Sequence, residues 1–244
     1  DGPMDIDRGA LSEFLRLGYV PGSQCIHPNL RKLQAGSVAS MTLACAAVSG
    51  EASVKKYWNA CELSKFSAAS SFVADDESLV SQMQTQLERA VSRRMISDVP
   101  LGAFLSGGVD SALVTAFMSR ASNSPIKTFT IGFSDGAYDE SDRSSATAKA
   151  LGTDHTVVKL MQKDAMGVVP RLAEIYDEPF ADSSQIPTVL LCAMARSQVT
   201  VALSGDGADE LLGGYDRYVT TPMLLTFFRR CPQGLRGVIA KSLS

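Results

Sequence analysis

The stretch Leu101-Gly102-Ala103-Phe104-Leu105-Ser106-Gly107-Gly108-Val109-Asp110-Ser111 decides how this chain is read. Its first five residues are a short apolar run, Ser-Gly-Gly follows, and a helical pattern runs over 111–122. A strand that ends in a glycine loop and opens a helix is the setting an anion-binding loop requires. Glycine lets backbone N–H groups turn inward without a β-carbon in the way, and the helix N-terminus adds partial positive charge. Ser106 and Ser111 can add hydroxyl donors to phosphate oxygens. No lysine is present, so this is not a GxxxxGK[ST] loop. The simpler reading is a tight strand-to-helix turn whose serines cap the helix. Asp110 would repel a phosphate unless it holds a Mg²⁺ that also bridges phosphates; otherwise it is a first-turn carboxylate favoured by the helix dipole.

Outward from this stretch, strands and helices alternate. Residues 126–133, 155–160 and 199–203 read as strands, and 141–151, 164–176 and 186–196 as helices. Short apolar strands separated by helices predict an α/β fold, a parallel sheet flanked by helices on both faces. In such a sheet ligands bind beyond the carboxyl ends of the strands, so chemistry is sought just after Leu105, Phe133 and Leu203. After Leu203 comes Ser204-Gly205-Asp206-Gly207-Ala208-Asp209-Glu210, then Gly213-Gly214-Tyr215. Acids this dense at a strand end suit metal coordination or proton transfer, and Asp209 could share the Mg²⁺ with Asp110; the plainer reading is an Asp-Gly turn before an acidic helix start. A third polar segment, Asp177-Glu178-Pro179-Phe180-Ala181-Asp182-Ser183-Ser184, precedes a helix that Ser183 or Ser184 would cap. It could also recognise an amino-acid substrate.

Upstream, acids at 75–77 open a helix in which Leu79, Met83, Leu87, Val91 and Met95 recur every fourth residue. Residues 5–33 read as a short helix and a loop, and 35–71 as weak strands or connection. His155 is expected to be structural, and Trp58 to pack.

Composition narrows the function classes. The 244 residues carry 23 Lys+Arg against 26 Asp+Glu, a net charge of −3, so a long polyanion such as nucleic acid is a poor partner. No run approaches the roughly 20 apolar residues of a membrane span, and no signal peptide is visible, which makes the cytoplasm the expected compartment. Cys25, Cys45, Cys61, Cys192 and Cys231 form no CxxC pair, and His27 and His155 are the only histidines, which argues against a structural zinc site.

Together these segments resemble the synthetase domain of the glutamine-hydrolysing asparagine synthetase family, a PP-loop ATP pyrophosphatase. The resemblance runs through 97–111, Thr128-Phe129-Thr130-Ile131-Gly132-Phe133, Tyr138-Asp139-Glu140-Ser141, 177–184, 204–210 and 213–215. Leu17-Gly18-Tyr19-Val20-Pro21 and Lys32-Leu33 look like the linker from a glutaminase half. The resemblance implies residues 1–75 as linker and N-terminal edge, and 76–244 as a synthetase domain truncated at its C-terminus. It also implies an amide-forming ligase: ATP adenylates the side-chain carboxylate of aspartate, pyrophosphate leaves, and ammonia, normally from glutamine, displaces AMP to give asparagine.

By motif position the resemblance makes Leu105 and Ile131 adenine- and ribose-side contacts. Ser106, Gly107, Gly108 and Ser111 become the pyrophosphate cradle, with Asp110 also on the ATP side, and Ser204 and Gly205 become further ATP contacts. Asp110 and Asp209 are the implied Mg²⁺ ligands, and Asp182, Ser183 and Tyr215 the implied substrate contacts. Asp206 stands where some members have Glu, at a position tied to intermediate formation and ammonia attack. The implied partners are ATP, aspartate and ammonia, and the sequence leaves the oligomeric state open, a homodimer included. The chain opens on Asp1, and the resemblance implies that the glutaminase domain and the C-terminal helices are absent, leaving free ammonia as the donor. The competing expectations are a sister amidotransferase acting on a β-lactam precursor or a polysaccharide sugar acid, and a nucleotide-binding remnant.

Overall fold

The structure is a computed structural model that describes residues 5–42, 52–69, 75–133 and 139–231. Tyr138 and Cys45, named above, lie outside the described residues. In chain order the elements are α1 (Arg8–Leu17), β1 (Ser37–Ser40), β2 (Ser53–Lys56), α2 (Ala60–Ala69), α3 (Asp76–Arg94) and β3 (Leu101–Phe104). They continue as α4 (Val109–Ala121), β4 (Lys127–Phe133), α5 (Ser141–Leu151), β5 (Asp154–Leu160), α6 (Gln162–Val168) and α7 (Leu172–Ile175). The last are α8 (Gln185–Arg196), β6 (Val201–Leu203), α9 (Ala208–Leu212) and α10 (Arg217–Arg230). The chain divides into two compact units, Asp1–Thr85 with Leu160–Ala193, and Gln86–Lys159 with Met194–Ser244.

The second unit holds a four-stranded sheet in the order β5-β4-β3-β6, with β3 central and parallel to both β4 and β6. Gly102 stands opposite both Lys127 and Ala202, so the three strands finish at the same edge and their following loops share one side of the sheet. This is the parallel α/β architecture expected from the alternation. Its core joins Val91, Ala103, Phe117, Met118 and Ile126, with Leu87, Met95, Leu113 and Val114 packed against them. Fully burying a side chain such as Phe117 or Met118 stabilises by about 1.5–3 kcal/mol. Within α3, Val91 is buried while Leu79 and Met83 are exposed, so only the C-terminal half of the fourth-residue stripe enters this core.

In the first unit, Asp7 caps α1 by accepting the N–H groups of Gly9 at 2.8 Å and Ala10 at 3.0 Å, and Gly18 ends the helix at φ 81°. Ala10, Val20 and Ile26 form a small core there. β1 and β2 pair antiparallel, which agrees with weak strands over 35–71, but α2 is an addition. Its Ala- and Ser-rich sequence favours helix by propensity without laying down an apolar stripe that periodicity could register. The helix expected over 164–176 is broken into α6, a 3-10 turn at Val169–Arg171 and α7. Pro170 has no N–H to donate and its ring crowds the preceding turn. No described helix is long and apolar enough to cross a membrane.

Candidate active site

The loop after β3 is tied to β4 before it turns. Leu105 is buried, its N–H donates to the Phe129 carbonyl at 2.9 Å, and its own carbonyl accepts the Thr130 hydroxyl. Ile131, half-buried, follows Thr130 in the same strand. Gly108 then takes the N-cap position of α4 in an extended conformation, so the serines are not the caps. Their hydroxyls turn into the loop instead. Ser111 Oγ lies 2.8 Å from Ser106 Oγ and accepts the Ser106 N–H at 3.0 Å, and Ser106 Oγ accepts the Gly108 N–H at 3.1 Å. The Gly107 N–H donates to Glu140 Oε2 at 3.0 Å. The glycines are needed for space: a β-carbon on Gly107 would stand 3.2 Å from those of both Glu140 and Arg143.

The loop after β6 meets this one. A β-carbon on Gly205 would lie 2.7 Å from the Ser111 nitrogen and 3.1 Å from the Asp110 β-carbon, so only glycine lets the two loops touch. The Ser204 hydroxyl donates to Asp206 Oδ2 at 2.9 Å and accepts the Asp206 N–H at 3.4 Å, which holds an exposed carboxylate at the rim. Gly207 turns the chain at φ 92°, and α9 begins at once with Asp209 in its first turn. Asp209 Oδ1 occupies the space a side chain at Gly214 would need, 2.0 Å from where that β-carbon would stand. Asp110 and Asp209 are hard oxygen donors on the two segments that meet, which suits Mg²⁺ in kind. Among the described residues no three His, Cys, Asp or Glu side chains converge. A cation there would therefore complete its shell with phosphate oxygens and water, as Mg²⁺ commonly does.

Tyr215 is engaged from both sides. Its hydroxyl donates to Glu210 at 2.7 Å, which pushes the phenol up to about 12, and the Arg217 guanidinium sits 4.1 Å over its ring. The same hydrogen bond holds the Glu210 carboxyl below its ordinary value.

Asp182 and Ser183 belong to the first unit. The Asp182 carboxylate accepts the Ser184 N–H at 2.8 Å, and hydrogen bonds from Ser184 hold its carboxyl below the usual range. The preceding loop is gripped by the 17–33 segment. Glu178 accepts from Lys32 Nζ at 2.7 Å and from the Ile26 N–H at 2.7 Å, and the Ala181 N–H donates to the Gly18 carbonyl at 2.6 Å. Burial pushes the Glu178 carboxyl up, but these donors and Cys25 outweigh it and hold it low. An open cavity of about 500 Å³ in this unit is lined by Lys56, Tyr57, Trp58, Asn59, Glu62 and Leu63. Trp58 is half-exposed there rather than packed in a core. Its backbone is instead held by Gly36, whose carbonyl accepts the Tyr57 and Trp58 N–H groups.

The structure thus brings Ser106, Gly107, Gly108, Asp110 and Ser111 together with Gly205, and leaves Asp182 and Ser183 in a separate unit. The sequence places Glu140, Thr130 and Gly214 within its motifs but assigns them no part in these loops. Glu140 lies 33 positions from Gly107, and no local spacing marks a contact created by neighbouring strand ends.

A parallel sheet whose adjacent strand ends carry a lysine-free Ser-Gly-Gly-Val-Asp-Ser loop and an acid-rich loop defines a class of α/β protein built around that edge. The family model described as Asparagine synthase matches residues 82–243, and the chain belongs to this family. It is 31% identical over 236 residues to asparagine synthetase [glutamine-hydrolyzing] 1 of Bacillus subtilis, covering 97% of this chain and 35% of that protein. It is 35% identical over 238 residues to the putative asparagine synthetase [glutamine-hydrolyzing] 2 of Methanocaldococcus jannaschii, covering 97% of this chain and 44% of that protein. The chain therefore spans less than half the length of these relatives. Among solved structures, NH3-dependent NAD synthetase from Campylobacter jejuni aligns with a TM-score of 0.39 and 15% identity, covering 55% of this chain and 60% of that one.

Proposed function

We propose that this chain carries the ATP-using part of an amide-forming ligase that converts aspartate to asparagine, with residues 76–244 as the synthetase domain. The carrying observation is the contact of Gly205 with the first turn of α4, which joins the Ser106–Ser111 loop to the acid-bearing loop after β6. Family membership supports the same reading.

In this reading the aspartate side-chain carboxylate attacks the α-phosphorus of ATP. The bond to the bridging oxygen breaks, and pyrophosphate leaves with that electron pair. Ser106, Gly107, Gly108 and Ser111 stabilise the departing charge, a task for fixed N–H and O–H donors that needs no lysine. Mg²⁺ held by Asp110 and Asp209 would neutralise phosphate charge when bound. Leu105, Ile131, Ser204 and Gly205 line the nucleotide side and Tyr215 the amino-acid side, while Asp182 and Ser183, in the first unit, carry a substrate role by motif position alone. Ammonia then attacks the acyl carbon, AMP departs with the C–O pair, and the proton lost by the attacking nitrogen passes to Asp206, whose carboxylate Ser204 orients. In the whole protein the ammonia comes from glutamine, and the cytoplasm is the compartment.

The test is pyrophosphate release from ATP and Mg²⁺ with ammonia, using aspartate against a panel of carboxylic acids. Aspartate-dependent release with asparagine formed is expected, and Asp110→Ala or Asp209→Ala should each abolish it with the fold retained. Release with a different acid would make the protein a sister amidoligase. No release with any acid, from a protein extended at both ends, would refute ligase function.

A further inference from the structure

The three N–H groups of the Ser106–Gly108 loop are all occupied from within the protein. Ser106 donates to Ser111 Oγ and Gly108 to Ser106 Oγ, both neutral hydroxyls able to rotate away. Gly107 donates to a carboxylate, Glu140 Oε2, at 3.0 Å. Resting on the reading of this loop as the pyrophosphate cradle, we propose that Glu140 is an internal anion. It fills the Gly107 position while the cradle is empty and must be displaced when pyrophosphate, free or as part of ATP, is seated.

The geometry supports occupancy rather than scaffolding. Glu140 sits at the N-cap position of α5 but makes no side-chain cap; the Ser141 N–H is satisfied by Asp139 Oδ1 at 3.0 Å. The Glu140 side chain is exposed, and among the described residues its carboxylate bonds to Gly107 alone. A carboxylate oxygen on a backbone N–H offers the same charge-assisted geometry as a phosphate oxygen, and two anions cannot share one donor without strong repulsion. Displacement therefore subtracts from phosphate affinity in the forward direction and favours release of pyrophosphate once the P–O bond has broken.

The contact also places Arg143 where it matters. One turn along α5, its β-carbon flanks the same face of Gly107, at 3.2 Å from where a side chain there would begin. Of the two side chains that flank Gly107 so closely, Glu140 is the anion and Arg143 the cation.

The experiment is calorimetric titration of pyrophosphate with Mg²⁺ into the wild type, Glu140→Gln, Glu140→Ala and Asp142→Asn, with circular dichroism confirming the fold. Asp142 is an exposed carboxylate on the same helix with no hydrogen bond or ion pair to the loop among the described residues, and it controls for net charge. Glu140→Ala should bind pyrophosphate about five-fold tighter, Glu140→Gln by a smaller factor, and Asp142→Asn as the wild type does. Unchanged or weaker binding by both Glu140 variants overturns the inference, as does equal tightening by Asp142→Asn. Absence of pyrophosphate binding in every protein, wild type included, overturns the cradle assignment itself.

Discussion

Replacing Gly205 by alanine tests the close approach that joins the two loops. The new β-carbon would stand 2.7 Å from the Ser111 nitrogen and 3.0 Å from the Asp110 carbonyl carbon, against 3.4–4 Å for ordinary contact. Both neighbours are backbone atoms of the first turn of α4 and cannot swing aside, so the loop after β6 must retreat by about 0.7 Å or more. Overpacking of this kind costs about 1–3 kcal/mol, which in a chain of this size lowers Tm by roughly 2–12 °C. Separating the loops should also weaken pyrophosphate binding at least about tenfold. Gly207 supplies the contrast. Its φ is 92° and nothing lies within 4 Å of its β-carbon position, so its requirement is conformational and not spatial. Asparagine, which enters the left-handed region more readily than alanine, should be the milder replacement at Gly207 and the harsher one at Gly205. Thermal melts and pyrophosphate titrations of the four variants check this. A Gly205→Ala protein with wild-type Tm and wild-type affinity would refute the contact between the loops.

Three further outcomes are expected. Ser111→Ala removes the hydroxyl that accepts the Ser106 N–H, and should weaken pyrophosphate binding about tenfold with little change in the urea midpoint. Burial holds the His155 imidazole below its ordinary 6.5, with Thr128 opposing. The unfolded chain therefore takes up the proton first, and stability present above pH 6.5 is lost as pH falls through the lower folded value. Urea midpoints of His155→Gln should show a shallower loss between pH 7.5 and 5.5 than the wild type, and equal slopes would contradict the assignment. Lys32→Met leaves Glu178 with less compensation for its burial and should cost about 1 kcal/mol, the exposure of Lys32 limiting the loss. Because the Glu178 carboxyl is held below its ordinary 4.5, its contribution is present above that pH and fades as pH falls through the folded value. In Lys32→Met the fading should begin at higher pH in denaturation curves.

Much of this architecture was legible without coordinates because it depends on local chemistry. The apolar run before Ser106, the glycines after it and the helical pattern from Ser111 together require a strand, a turn and a helix start. Their repetition down the chain requires a parallel sheet with its loops at one edge. The acid-rich run after Leu203 was equally visible, since a strand end followed by Gly-Asp-Gly can only turn. The errors were also local in cause. Helix α2 has no stripe to read, and Pro170 interrupts a helix whose apolar spacing continues across the break.

What the sequence by itself determined, then, was the set of strand-end loops and the kinds of atom each one offers. Which loops meet was decided by the tertiary structure. β3 lies between β4 and β6, and that order sets Gly205 against Asp110 and Ser111 and carries Glu140 to Gly107. Residues 33 or more positions apart come together only through the pairing of strands, which depends on the sheet's packing as a whole and on no spacing along the chain.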